Sequence, residues 1–121
     1  MNARQIPGGV WEGGHVNDEV RKAGVGRGWH PLLDELHGRL MEACPDYVAH
    51  QVKEKFGTLR AYIRGNAAAY ALEREYEAKS ASICESCGAL GRLRSSTSWR
   101  HTYCDPCEEG YLARRCRPET G

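Results

Sequence analysis

Cys84-Glu85-Ser86-Cys87, then sixteen residues, then Cys104-Asp105-Pro106-Cys107: this doubled Cys-x-x-Cys pattern decides how the C-terminal third of the chain folds. A Cys-x-x-Cys turn can aim two thiolates at one point, and tetrahedral zinc takes four sulfur ligands at about 2.3 Å. Two such turns joined by a hairpin complete the coordination sphere. Small residues at Ser86 and Gly88 let backbone amides approach the sulfurs. Arg92-Leu93-Arg94 and Trp99–Tyr103 are expected as the connecting strands around a polar Ser95–Ser98 turn. Glu108–Arg115 reads as a short helix, with acids at its start and arginines at its end as the helix dipole favours.

One structural zinc ion is therefore expected, held by Cys84, Cys87, Cys104 and Cys107. A thioredoxin-type redox pair would need a βαβ context and would not explain two pairs. A catalytic zinc keeps a ligand position open and usually draws on His or carboxylate ligands, whereas four cysteines close the shell. The His-x-Glu that zinc deaminases carry ahead of their cysteine pair is missing. Cys44 is expected as a small core residue and Cys116 as a free thiol near the end of the chain.

Working outward, 121 residues suit one domain, or a small domain with a metal-held module. Apolar residues make up 40%, charged residues 27% and aromatic residues only 8%, which implies a soluble protein with a thin core that a metal usefully staples. No apolar run approaches the length of a membrane span, and the N-terminus lacks a signal-peptide pattern, so a cytoplasmic protein is expected. In a reducing compartment, paired cysteines read as metal ligands before disulfides. Four thiolates (−4) and one dication (+2) take the formal charge from +1 to −1, which gives no overall pull toward nucleic acid.

Three segments are expected, with an α+β fold: a helix–β-hairpin–helix domain followed by the zinc finger. Residues 1–28 hold seven glycines and few apolar anchors beyond Trp11 and Val16, and read as a flexible arm. Residues 29–82 form the first domain, ordered from Trp29. Pro31 opens a helix over 31–44 whose apolar stripe is Leu33, Leu36 and Leu40, and Pro45 ends it. Tyr47–Arg64 alternates with period two around Gly57 and predicts a β-hairpin. Val48, His50, Val52, Leu59 and Ile63 are expected on one face, with Lys53, Arg60, Tyr62 and Arg64 on the other. Asn66 caps a second helix over 67–82, with Ala69, Leu72 and Tyr76 inward and Glu75/Lys79 as an i,i+4 pair. Residues 83–117 are the finger module.

The finger, with its first turn on a knuckle and its last two ligands opening a helix, resembles a treble clef over about residues 83–115. It is similar to GATA-type fingers and to the finger of DksA/TraR-like regulators of bacterial RNA polymerase. The GATA resemblance implies DNA contact by the finger helix, which an opening Glu108-Glu109 disfavours. The DksA/TraR group carries a coiled-coil arm that residues 31–82 do not match. Gly28-Trp29, the run Gln51-Val52-Lys53-Glu54-Lys55-Phe56-Gly57-Thr58-Leu59-Arg60, and Ile83-Cys84-Glu85-x-Cys87-Gly88 resemble a group of small bacteriophage and prophage proteins. That resemblance implies a phage-type accessory factor acting in the cytoplasm of a bacterial host.

The functional expectation is a non-enzymatic binding protein that modulates a bacterial host protein complex, such as a defence or transcription machine. The alternative is a nucleic-acid-binding protein using the hairpin and finger. Lys53, Lys55, Arg60 and Arg64 against Glu54 give Tyr47–Asn66 a net +3, and Tyr62 sits among these charges. The partner-binding candidates are Lys53, Arg60, Tyr62 and Arg64, with Arg92, Arg94 and Arg100 on the finger. No catalytic residue is expected, because the five histidines are scattered and no nucleophile–base motif or phosphate-binding loop stands out.

Overall fold

The computed structural model describes Trp11–Glu12, Lys22 and residues 24–116. In chain order these form β1 (Trp11–Glu12), a 3-10 turn (Arg27–Trp29), α1 (His30–Ala43), β2 (Val48–Lys55), β3 (Thr58–Arg64), α2 (Ala67–Ser80), β4 (Arg92–Arg94), β5 (His101–Tyr103) and α3 (Asp105–Cys116). The fold is mixed helix and sheet. One antiparallel sheet has the order β1-β2-β3 and the second pairs β4 with β5. No helix among the described residues is long and apolar enough to cross a membrane.

α1 forms because Pro31 fits the first turn, where its missing N–H has no partner to lose, and because Leu33, Leu36 and Leu40 recur on one face. All three are buried, each contributing about 1.5–3 kcal/mol of apolar burial. The helix stops at Cys44, whose N–H still reaches the Leu40 carbonyl at 2.7 Å before Pro45 ends the ladder. Cys44 is a buried core residue, as expected. α2 opens on Asn66, whose side chain accepts from the Ala69 N–H at 2.8 Å. It lies against α1 and β3 and buries Ala69, Leu72 and Tyr76. With Trp29, Tyr47, Ala49, Val52, Leu59 and Ala61 these side chains make one core.

The hairpin differs from a strict alternation. A β-bulge lies between Ala49 and Gln51, so His50 has no partner on β3. The extra residue reverses the faces upstream of it. Ala49, opposite Ile63, is buried with Val52 and Leu59, whereas Val48 sits opposite Arg64 on the outer face and His50 is exposed. Val48 and His50 therefore leave the apolar face on which period two had placed them.

β3 is an edge strand, and α2 covers its free amides with side chains. Leu59 N–H donates to Ser80 Oγ at 2.8 Å, Ala61 N–H to Glu73 at 3.4 Å and Gly65 N–H to the Tyr70 hydroxyl at 3.3 Å. Capping an edge this way removes a template for pairing with another chain.

Of the glycine-rich arm expected over 1–28, residues 24–28 pack on the body, and Gly28 N–H donates to the Glu85 carbonyl at 2.9 Å. A Cβ on Gly28 would lie 2.1 Å from the Cys84 carbonyl oxygen, so only glycine permits this approach. Apart from these residues, Trp11–Glu12 and Lys22, the arm lies outside the described residues.

Candidate metal centre

The sulfurs of Cys84, Cys87, Cys104 and Cys107 all lie within 4.8 Å of one another, and Cys87 Sγ and Cys104 Sγ are 3.6 Å apart. A tetrahedron with metal–sulfur bonds of about 2.3 Å has sulfur–sulfur edges of about 3.8 Å. The four cysteines thus fit one metal ion with a complete sulfur shell. Cys84 and Cys104 are buried, Cys107 is half-buried and Cys87 is exposed.

Local hydrogen bonding aims these side chains. Cys84 N–H donates to the Ala89 carbonyl at 2.7 Å, and Gly88 N–H returns to the Cys84 carbonyl at 2.8 Å, with Gly88 at φ +87°. An antiparallel bridge between Ile83 and Leu90 closes the knuckle. The second pair sits at a helix start. Cys104 precedes α3, its carbonyl accepts from the Glu108 N–H at 2.9 Å, and Cys107 lies in the first turn. α3 begins at Asp105, three residues earlier than the sequence reading had it, so the last ligand belongs to the helix itself.

Burial pushes the Cys84 thiol upward, but backbone N–H groups of Cys104, Cys87 and Ser86 outweigh it and bring the thiol down to about 7. Burial and the thiols of Cys104, Cys84 and Cys87 push Cys107 up to about 12. The polarised Cys84 backbone environment suits a thiolate ligand.

The finger has its own buried polar links. His101 is fully buried; Nδ1 donates to the Trp99 carbonyl at 2.9 Å, and Nε2 is hydrogen-bonded to Glu108 Oε1 at 2.6 Å. Glu108 also accepts from Ser96 Oγ at 3.2 Å. Glu108 therefore faces inward, which corrects the reading of it as an acidic surface at the helix start. Trp99, Tyr103 and Tyr111 pack around the His101 ring with centroids 4.0–4.9 Å away. The spacing of His101 and Glu108 across a strand and a helix turn gave no periodic signal.

Two further residues escaped the sequence reading because their partners are distant along the chain. Glu85 is buried, and its carboxylate accepts from the Thr102 N–H at 2.9 Å while its own N–H donates to the Thr102 carbonyl at 2.9 Å. Burial raises the Glu85 carboxyl above the usual carboxylate range, with the Thr102 hydrogen bond opposing it. Thr102 Oγ1 in turn donates to the Gly57 carbonyl at 2.7 Å, and Trp29 Nε1 donates to the Ile83 carbonyl at 2.8 Å. These contacts tie the cysteine-bearing segment to the hairpin and to the start of α1.

The partner-binding candidates divide into three places. Lys53, Arg60, Tyr62 and Arg64 share the outer face of β2–β3, with Lys53 Nζ 5.8 Å from the Tyr62 ring centroid. Arg60 is engaged there by Glu77 at 3.5 Å and Thr58 Oγ1 at 3.0 Å. Arg94 is a strut: only 11% of its side chain is exposed, and its guanidinium donates to the Tyr103 carbonyl at 2.9 Å and to Asp105 at 2.7 Å. Arg92 reaches the same Asp105 at 3.8 Å. Arg100 is exposed and lines a cleft of about 510 Å³ with Phe56, Ser98 and Trp99. Comparison of the chain with protein-family models, curated proteins and solved structures finds no match.

Proposed function

We propose that this chain is a non-enzymatic binding protein, stapled by one structural zinc ion, that presents the outer face of β2–β3 and the adjoining finger to a partner protein. The observation that carries this reading is the separation of faces on the sheet. The inner face is filled by the core, while on the outer face Lys53, Tyr62 and Arg64 face away from it, with no ion pair to a carboxylate for Lys53 or Arg64 among the described residues. Four thiolates favour zinc and leave no ligand position for a substrate, which supports a structural role. The order of knuckle, β4–β5 hairpin and α3, with Cys107 in the first helical turn, supports a treble-clef arrangement.

The likeness of residues 51–60 and 83–88 to small phage proteins supports a bacterial host complex, a defence or transcription machine, as partner, met in the host cytoplasm. The second reading is a nucleic-acid partner, favoured by four cations, Lys53, Lys55, Arg60 and Arg64, around Tyr62 on one sheet face. A pull-down of the tagged, zinc-loaded chain from bacterial lysate, with and without nuclease, tests the proposal. A protein retained equally in both arms is expected. Loss of all captured protein on nuclease treatment would replace the first reading by the second.

A further inference from the structure

We infer that the cleft between the β2–β3 turn and the β4–β5 loop is a docking site for an acidic segment of a partner protein that carries a large apolar side chain. The inference rests on the protein-binding reading above and names a surface and a partner chemistry for it.

Phe56 is the first observation. It stands at φ +54°, followed by Gly57 at φ +87°, the turn geometry that Asn-Gly ordinarily fills. A bulky side chain there opposes the backbone preference, and the ring adds nothing to the core: 64% of Phe56 is exposed. Across the cleft Trp99 is 39% exposed, and Leu93, beside Gly57, is 46% exposed. Two large exposed aromatic side chains thus line one cleft, with exposed Leu93 beside the same turn, the composition of a protein contact.

The walls are held in advance. The Thr102 hydroxyl binds the Gly57 carbonyl, and Leu93 sits where a Cβ on Gly57 would be, 2.3 Å from its Cδ1. A preformed cleft spares a partner the entropy of ordering it. Charge selects the occupant. Arg100 lines the cleft and Lys55 Nζ lies 5.8 Å from the Phe56 ring, and among the described residues neither has an ion-pair partner. The lining contains no carboxylate. A complementary segment brings both negative charge and an apolar side chain. A peptide fits better than stacked bases, because Trp99 already stacks on His101 at 4.0 Å and Lys55 overlies Phe56.

The test titrates the zinc-loaded full chain into a fluorescein-labelled dodecapeptide with Asp and Glu flanking a central Phe-Leu pair, read by anisotropy. Two controls replace the acids by Lys or the Phe-Leu pair by Ser-Ser. The acidic apolar peptide is expected to bind at least about tenfold more tightly than either control. Phe56→Asn and Arg100→Glu are each expected to weaken it by about tenfold or more. Asn tolerates the left-handed turn, so Phe56→Asn is expected to melt no lower than the parent. No binding, equal binding of the three peptides, or unchanged affinity in both variants would overturn the assignment. So would tighter binding to a thymidine dodecamer lost in Phe56→Asn, or self-association lost in that variant, which would name nucleic acid or a second copy as occupant. If both variants still capture the lysate protein at parental levels, the protein-binding reading stands and this cleft is excluded. If the parent captures no nuclease-resistant protein, the wider reading fails.

Discussion

Cys84 and Cys107 lie in one cluster of four sulfurs, yet their thiols are set apart, one brought to about 7 by backbone N–H groups and the other pushed to about 12 by burial. The proposed zinc ion would have to displace the protons that remain, so its affinity is expected to fall on acidification, more steeply below about 7, where Cys84 also takes up a proton. Competition titrations with a chromogenic chelator at several pH values check this; pH-independent affinity would contradict it. Glu85 gives a second expectation at the residue scale. Its carboxyl is raised by burial, with the Glu54 carboxylate adding like charge, so the charged form destabilises the fold at neutral pH. Glu85→Gln keeps an acceptor for the Thr102 N–H and is expected to raise the melting temperature at pH 7. Since a raised acid loses its penalty once protonated, the gap between variant and parent narrows as pH falls. Phe56 stands at a backbone angle costing about 1–2 kcal/mol for a non-glycine residue, and Phe56→Asn is expected to recover about 1 kcal/mol in urea denaturation.

Among the elements, the edge of β3 depends on α2 more than on its own sequence. Ser80 is fully buried and accepts from the Leu59 amide. Ser80→Ala would leave that amide buried without a partner, so a loss of about 1–3 kcal/mol is expected, with faster hydrogen exchange at Leu59. Unchanged exchange at Leu59 would show that the cap is unimportant. The helices were legible because Leu33, Leu36 and Leu40, and then Ala69, Leu72 and Tyr76, repeat at helical spacing with Pro31 and Asn66 at their starts. The bulge at His50 was not, because a single inserted residue preserves local alternation on each side while reversing the faces across it. The four cysteines that could hold a metal ion were legible from spacing alone. Glu108 and Glu85 were not: an acid in the first helical turn or beside a cysteine reads as exposed unless its distant partners, His101 and Thr102, are known.

At the scale of the molecule, three hydrogen bonds among the described residues fasten the cysteine-bearing module to the rest of the fold. Glu85 holds Gly28, Ile83 holds Trp29, and Thr102 holds Gly57. Structural zinc contributes roughly 10–16 kcal/mol of apparent binding free energy, as much as or more than the whole stability of a small domain. Chelation is therefore expected to release residues 83–115, and to raise hydrogen exchange at Gly28, Trp29 and Gly57 while Leu36 and Leu40 remain protected. Cys104→Ser should reproduce that pattern without chelator. All of this depends on one ion held by four sulfurs. Zinc-edge X-ray absorption on the purified chain, with metal content measured on the same sample, tests that directly. The expected result is one zinc per chain with four sulfur neighbours at about 2.3 Å and no nitrogen or oxygen ligand. Zinc-free folded protein, or a shell containing nitrogen or oxygen at about 2.0 Å, would contradict it.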